Sequence, residues 1–153
     1  MPEQTQQLSY PLDVNSAGII DKQILSTKWS RTKFANVGRI VTLKIIDDAT
    51  TLTTGDGKLI FNVPLELDNT LIVAAEAFVS TVSSSGAVTV QVRNVTDSVD
   101  VLSTAITIDQ SEFDSYTAAT PCVINFANAQ LAKSDRIAID VDGAGTGVKG
   151  LSV

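Results

Sequence analysis

The stretch 87–109, AVTVQVRNVTDSVDVLSTAITID, constrains the fold of this chain more than any other. Its first half alternates apolar and polar residues, and a period of two places the apolar side chains on one face of an extended strand. Residues 94–98 then supply Asn, Asp and Ser side chains that favour a turn. After Val101 the apolar positions change from odd to even numbers, which indicates a β-bulge or a short break. The pattern predicts neighbouring strands at the centre of a β-sheet.

Alternating segments also recur downstream of residue 39. They are 39–45, 59–63, 122–126 and 137–141, with a last short strand expected at 148–153. Residues 71–82 are apolar at both odd and even positions, so we expect that strand to be covered on both faces. A tight turn is expected at 53–57, where Asp-Gly favours a hairpin. The spacing predicts an all-β fold, an antiparallel β-sandwich of about eight strands, with a jelly-roll connection as the leading expectation.

The core of this sandwich must be mostly aliphatic. Hydrophobic residues make up 44% of the 153-residue chain but aromatic residues only 5%, so Val, Ile, Leu and Ala must fill the interior. The length fits a single domain with one core, and the β-branched residues suit half-buried strands. The side chains expected to face inward include Val88, Val90, Val92, Ile106, Ile108, Ile137 and Ile139.

The residues that usually carry chemistry are scarce. The chain has no histidine, which removes the commonest general base and the commonest metal ligand together. Its single cysteine, Cys122, lies in a strand-like apolar run and is interpreted as a small buried hydrophobe. GDGK at 55–58 lacks the first glycine of a phosphate loop, and DVDGAG at 140–145 begins a calcium-loop pattern that lacks two required ligands. We therefore expect no catalytic residue, no cofactor and no metal site.

Charge is distributed unevenly along the chain. Residues 1–50 carry six Lys/Arg and five Asp/Glu, giving +1, and residues 51–153 carry five and twelve, giving −7, which together make the net charge of −6. All six early basic residues lie between 22 and 44, with no acid among them. Residues 1–38 have no sustained period and are rich in Gln, Ser and Asn, which favours an extended arm over a short helix. The predicted organisation is an N-terminal attachment arm, 1–38, and a β-sandwich body, 39–153.

The arm is expected to bind a partner through basic and aromatic residues. These are Lys22, Lys28, Trp29, Arg31, Lys33 and Phe34. Trp29 is the natural anchor, since tryptophan often carries a large share of interface energy. The acidic remainder of the chain opposes genome binding, so no nucleic-acid partner is expected. No apolar run approaches the length of a membrane span, so no membrane contact is expected. The polar N-terminus does not resemble a signal peptide. The Asn-Val-Thr sequon at 94–96 is therefore interpreted as a turn rather than a glycosylation site.

Several segments between residues 51 and 153 resemble small β-rich virion structural proteins of tailed bacteriophages. The segments are TTGDGK at 53–58, VQVRNVTD at 90–97, LSTAITID at 102–109, TAATP at 117–121, RIAIDVD at 136–142 and GTGVKGL at 145–151. Their order and spacing carry the resemblance. It implies a virion component, usually oligomeric, and it transfers no catalytic residue.

The resulting hypothesis is a non-enzymatic phage virion structural protein, in particular a capsid decoration or cement protein. It would bind the major capsid protein or neighbouring virion proteins, stabilise the head and form a homotrimer. It would be made in the bacterial host cytoplasm and end on the exterior of the phage particle. The alternative is a head or tail fibre or baseplate module that binds a host receptor. A third hypothesis, a glycan hydrolase, would use two carboxylates among Asp97, Asp100, Glu112 and Asp114.

Overall fold

A computed structural model describes residues 38–153 of the chain. Within these residues the regular structure is antiparallel β-sheet, with one short 3-10 helix at Leu65–Leu67. The strands of the described part are β1 (Gly55–Asn62), β2 (Thr70–Leu71), β3 (Val88–Asn94), β4 (Val99–Asp100), β5 (Leu102–Thr104), β6 (Ile106–Ile108), β7 (Val123–Ile124), β8 (Gln130–Leu131) and β9 (Arg136–Ala144). The prediction of an all-β antiparallel fold is confirmed. None of the helices in this part is long and apolar enough to cross a membrane.

The core is centred on β9, which lies between β1 and β3 in a five-stranded sheet. On its other side, β3 pairs with β6 through residues 88–90 and with β4 through residues 93–94. Five consecutive residues of β9, at 137–141, are buried. The side chains predicted to face inward are all buried, with at most 4% of their surface exposed: Val88, Val90, Val92, Ile106, Ile108, Ile137 and Ile139. The predicted inward face is confirmed.

The phase change after Val101 is a real break in the sheet. Val101 and Leu102 are both buried, although neighbours in a regular strand point to opposite faces. The side chain of Gln91 fills the gap in the ladder, accepting from the N–H of Leu102 at 3.2 Å and donating to its carbonyl at 3.2 Å. The same Gln91 oxygen accepts from the N–H of Val92 at 2.9 Å. β5 is thereby free to leave β3 and pair with β7.

A second layer is built from isolated bridges rather than regular strands. Ser152 pairs with Lys44 on one side and with Phe78 on the other, and Phe78 pairs in turn with Asp114. Phe78 and Ser152 exchange two main-chain hydrogen bonds of 2.9 Å. The inward side chains of this layer join the same core as the sheet: Val79, Val148 and Leu151. The described residues therefore form a β-sandwich-like body, whereas the jelly-roll connection and the arm boundary stay predictions.

The turn predicted at 53–57 is wrong, because residues 55–57 lie inside β1. The register between β1 and β9 shifts beside Asp140, so that the glycines of β1 form a bulge. Gly57 has a φ of 58°, a conformation that glycine adopts without strain, and its N–H donates to Asp140 Oδ1 at 2.5 Å. Asp140 is buried, so the bulge supplies a partner that a carboxylate in this position requires.

Two other predicted strands are largely irregular. A single isolated bridge occurs in 39–45. The segment 71–82 packs on the core through one side only: Val79 is buried, but Val73 is 66% and Phe78 is 50% exposed. The prediction that this segment is covered on both faces is wrong for the described chain, because no described residue covers its outer side. Its outward apolar side chains are therefore available at the surface.

Replacing Gln91 with Met should lower the free energy of unfolding by about 2 kcal/mol or more, because the main chain of Leu102 loses both its partners in a half-buried position. Urea denaturation measures this change. Thr107→Val is the matched control on the adjacent strand, since the Thr107 side chain makes no hydrogen bond in the described structure. Equal stability of the Gln91→Met variant and the parent would show that water replaces the glutamine without cost.

Candidate interaction surface

Aromatic side chains in the described body lie mostly outside the core. Phe61 packs against the core, whereas Phe78, Phe113, Phe126 and Tyr116 are 50%, 58%, 62% and 78% exposed. Aromatic residues are enriched in the central contacts of protein interfaces. Since the interior is filled by aliphatic side chains, these exposed rings are the first candidates for contact with a partner.

Three of these aromatic residues, Phe78, Phe113 and Tyr116, lie along one border of the second layer, which we name the aromatic edge. The N–H of Val79 donates to the Phe113 carbonyl at 2.8 Å, and the N–H of Ser115 donates to the Ala77 carbonyl at 3.0 Å. These bonds flank the pair formed by Phe78 and Asp114 and fix the two segments side by side. The aromatic edge therefore rests on a paired backbone.

The outer border of this edge is open. In a pair flanked in this way, the main-chain N–H and carbonyl of Asp114 point away from Phe78. Within residues 38–153 neither group has a hydrogen-bond partner. Phe78 lies opposite Asp114 and Phe113 lies opposite the buried Val79, so the two rings leave opposite faces of the pair. An edge with unpaired main-chain groups and exposed aromatic side chains on both faces combines two features that favour association with another chain. By contrast, the open border of β1 carries Lys58 and a bulge, which are features that oppose edge-to-edge pairing.

The loop that carries Phe113 and Tyr116 is shaped by its own acidic residues. Asp114 Oδ1 accepts from the Tyr116 N–H at 3.0 Å, and Asp109 Oδ2 accepts from the Ala119 N–H at 2.8 Å. Thr117 donates its hydroxyl to the Glu112 carboxylate. These bonds shape a segment that has no regular secondary structure, and the main-chain bonds to Ala77 and Val79 hold it against its neighbour.

The four carboxylates of the hydrolase hypothesis have separate roles in the fold. Asp97 accepts from the Asn94 side chain at 3.0 Å, and Asp100 forms an ion pair with Arg93 at 3.3 Å. Glu112 and Asp114 accept the loop hydrogen bonds described above. No described contact joins any two of these carboxylates. The hypothesis therefore gains no support from a paired arrangement.

The partner-binding residues predicted on the arm lie outside the described residues: Lys22, Lys28, Trp29, Arg31, Lys33 and Phe34. Lys44, the last of the six basic residues between positions 22 and 44, lies in the described part of the chain. Its ammonium group forms an exposed ion pair with Asp48 at 2.5 Å. An exposed ion pair of this kind contributes little to stability. Binding of a partner by the arm therefore stays a prediction.

The sequence motifs with possible chemistry take structural roles. Lys58 of GDGK donates to Thr53 Oγ1 at 2.8 Å from within a strand, so it does not end a phosphate loop. The DVDG residues lie in β9 rather than in a calcium-binding loop. Asn94 of the sequon is buried, and its oxygen accepts from the N–H groups of Thr96 and Asp97 at 3.0 and 3.2 Å. The interpretation of 94–96 as the start of a turn is confirmed.

Cys122 is partly buried and packs against the core. Burial raises the pKa of its thiol above the ordinary value, which keeps the group protonated near neutral pH. Among residues 38–153 no group of three or more His, Cys, Asp or Glu side chains is arranged to hold a metal ion. Comparison with protein-family models, with curated proteins and with solved structures finds no match to this chain.

Sequence reasoning missed the aromatic edge. The strand pattern placed Phe78 in a segment expected to be covered on both faces. Phe113 and Tyr116 lie in the segment 110–121, which has no strand pattern and is mostly polar. The available signal was the composition: with few aromatic residues in the chain, two of them occur in a short segment rich in Ser, Thr and Asp. Aromatic side chains in a polar segment without a strand pattern are expected to remain exposed.

Acidic residues gather on the outward face of the five-stranded sheet. Asp142 is the extra residue at a bulge of β9 and makes no hydrogen bond in the described structure. Burial raises the pKa of its carboxyl above the ordinary value, and the nearby charges of Asp140, Asp56 and Asp100 raise it further. The folded state therefore disfavours the ionised form of Asp142 relative to the unfolded chain.

Replacing Asp142 with Asn should stabilise the protein at neutral pH. In the parent, stability falls as pH rises from the unfolded pKa of about 3.9 through the raised folded pKa, because the folded state holds the proton more tightly. The variant should melt at a higher temperature near pH 7, with no advantage at pH values below this window. Glu76→Gln, outside the acidic group, is the control. Equal melting of the Asp142→Asn variant and the parent at every pH would contradict the argument.

Proposed function

We propose that this protein is a non-enzymatic virion structural protein of a tailed bacteriophage, in particular a capsid decoration or cement protein. It binds the major capsid protein on the exterior of the particle and stabilises the head. The observation that carries the proposal is the aromatic edge, a docking surface on an aliphatic β body. The resemblance of residues 51–153 to virion structural proteins supports the same assignment.

The aromatic edge has enough apolar surface to contribute to docking. An aromatic side chain buries about 150–250 Å² when it is fully covered. At about 25 cal/mol per Å², a side chain that is already half buried adds about 2 kcal/mol when a partner covers the rest. Three such side chains, repeated in a homotrimer, give an avidity that a single weak contact does not reach. This arrangement fits a protein that covers many identical positions on a particle.

The N-terminal arm provides the second contact of the proposal. Its basic residues pair with acidic groups on the capsid surface, which favours correct orientation and rapid association. Trp29 supplies the apolar anchor. At about 3.3 Å per residue, an extended arm of this length reaches on the order of 100 Å, far beyond the body itself. Attachment to the major capsid protein or to a neighbouring virion protein is therefore within its range.

A head or tail fibre or baseplate module that binds a host receptor is the second candidate. The observation that favours it is a polar groove lined by amide and carboxylate side chains, to which no residue of the aromatic edge contributes. Both candidates place the protein on the outside of the virion after synthesis in the host cytoplasm. They differ in what the exposed surface contacts.

The aromatic edge is tested by replacing Phe113 and Tyr116 with Ser in the same chain. Co-sedimentation with phage heads that lack the native copy should show binding weakened by about tenfold or more, because the central apolar contacts are lost. Phe126→Ser, an exposed aromatic on a different turn, is the matched control and should bind like the parent. Full binding by the double variant, with unchanged melting, would remove the aromatic edge from the docking surface.

The arm is tested by a chain that begins at residue 39. The body should fold but no longer co-sediment with the same heads, and Trp29→Ala in the full chain should weaken binding more than Lys28→Ala. The reason is that tryptophan buries much apolar area, whereas one exposed charge contributes little. Unimpaired binding of the truncated body would place the attachment surface on the sandwich alone.

A further inference from the structure

A groove of about 540 Å³ opens beside the turn that follows β3. Its walls come from distant parts of the sequence: Asn69 just before β2, the turn at 95–99, and the segment 127–135 that contains β8. The lining side chains that bear on the chemistry of a ligand are those of Asn69, Asp97, Val99, Asn128, Gln130 and Asp135. The volume is in the range of small-molecule sites and much larger than a single ion needs.

Asn94 holds the two carboxylates of the groove in place. Its buried amide nitrogen donates to Asp97 Oδ2 at 3.0 Å and to Asp135 Oδ2 at 3.0 Å. Asp135 also accepts from the Ala132 N–H at 2.9 Å. The carboxylates are therefore positioned before any ligand arrives, and the conformational cost of binding is correspondingly small.

Asp135 is the most informative residue of the site. Only 6% of its surface is exposed, yet all of its described partners are neutral N–H groups and no Lys or Arg pairs with it. Its Oδ1 has no partner within residues 38–153, and the same is true of Asp97 Oδ1 and Asn128 Oδ1. A nearly buried carboxylate with an unused oxygen beside a groove is positioned to accept a hydrogen bond from water or from a ligand that displaces it.

The lining chemistry restricts the ligand. Two carboxylates and no cationic side chain line the groove, so an anionic ligand such as a phosphate is disfavoured. Three amide side chains, those of Asn69, Asn128 and Gln130, each donate one N–H within the body, at 3.1, 2.8 and 3.4 Å. Because an amide nitrogen carries two N–H groups, each keeps a second donor for a ligand. A cationic ligand would use only the hydrogen-bond acceptors of the groove, whereas a sugar hydroxyl can bond to both its acceptors and its donors. The mixture of carboxylates and amides therefore favours a polyhydroxyl ligand. The partly exposed side chain of Val99 provides an apolar surface for the C–H face of a sugar ring.

We propose that this groove is a binding site for an uncharged saccharide. Hydroxyl groups donate to the unused oxygens of Asp97, Asp135 and Asn128, and the amide of Gln130 completes the contact. Phe126 stands at the adjoining turn, closed by the Asn128 N–H donating to the Asn125 carbonyl at 2.9 Å, and is 62% exposed. This activity is independent of docking through the aromatic edge and suits a virion protein that contacts cell-surface or matrix glycans.

The test is titration of the full-length protein with three uncharged trisaccharides, N,N′,N″-triacetylchitotriose, maltotriose and cellotriose, at millimolar concentration. Heteronuclear NMR should show saturable shifts of the Asn128, Gln130 and Leu131 amides with at least one of them. Asp97→Asn keeps an acceptor for Asn94, so the fold is retained, and it should weaken binding about tenfold, as should Gln130→Ala. Asp56→Asn, on the outward face of the sheet, is the matched control and should bind like the parent.

Two results would overturn the proposal. The first is the absence of saturable shifts in the groove with all three trisaccharides. The second is saturable shifts in the groove with calcium chloride or with an arginine amide in place of the sugars, which would assign the carboxylates to a cation. Sugar-induced shifts that persist undiminished in both groove variants would likewise exclude this site. Head binding by the same variants is expected to be unchanged, which separates this site from the docking surface.

Discussion

The fold depends on the double pairing of β9. This strand is hydrogen-bonded to β1 on one side and to β3 on the other, and β1 has no other strand beside it in the described structure. The pairing sets Ile139 beside Val92 and Val141 beside Val90, and residues 137–141 are buried without interruption. The bulges at both borders of β9 then adapt the strand to its neighbours, with Gly57 bonded to Asp140 at one bulge and Asp142 extruded at the other.

An aliphatic core has a consequence for the surface. Val, Ile, Leu and Ala fill the space between the sheet and the irregular second layer, so the few aromatic side chains are not needed inside. Covering exposed aromatic rings with a partner removes apolar surface from water, which lowers the free energy of the complex. The distribution of residue types therefore links the packing of this body to its proposed role as a docking module.

Sequence patterns predicted the features that depend on neighbours in the chain. The alternation at Val88, Val90 and Val92 identified the inward face, and the phase change after Val101 located the break that Gln91 repairs. Features that depend on distant contacts could not be predicted this way. Gly57 serves Asp140, which is 83 residues away, although its local sequence favours a hairpin turn. The saccharide groove likewise joins Asn94 to Asp135 across 41 residues, and no local pattern indicates that contact.

The docking claim is tested most directly by an electron-microscopy reconstruction, at side-chain resolution, of a phage particle that carries this protein. The account predicts that the body lies on the particle exterior and that a neighbouring chain covers Phe78, Phe113 and Tyr116. A reconstruction in which all three rings face solvent in every copy, with another surface of the body against the particle, would contradict it.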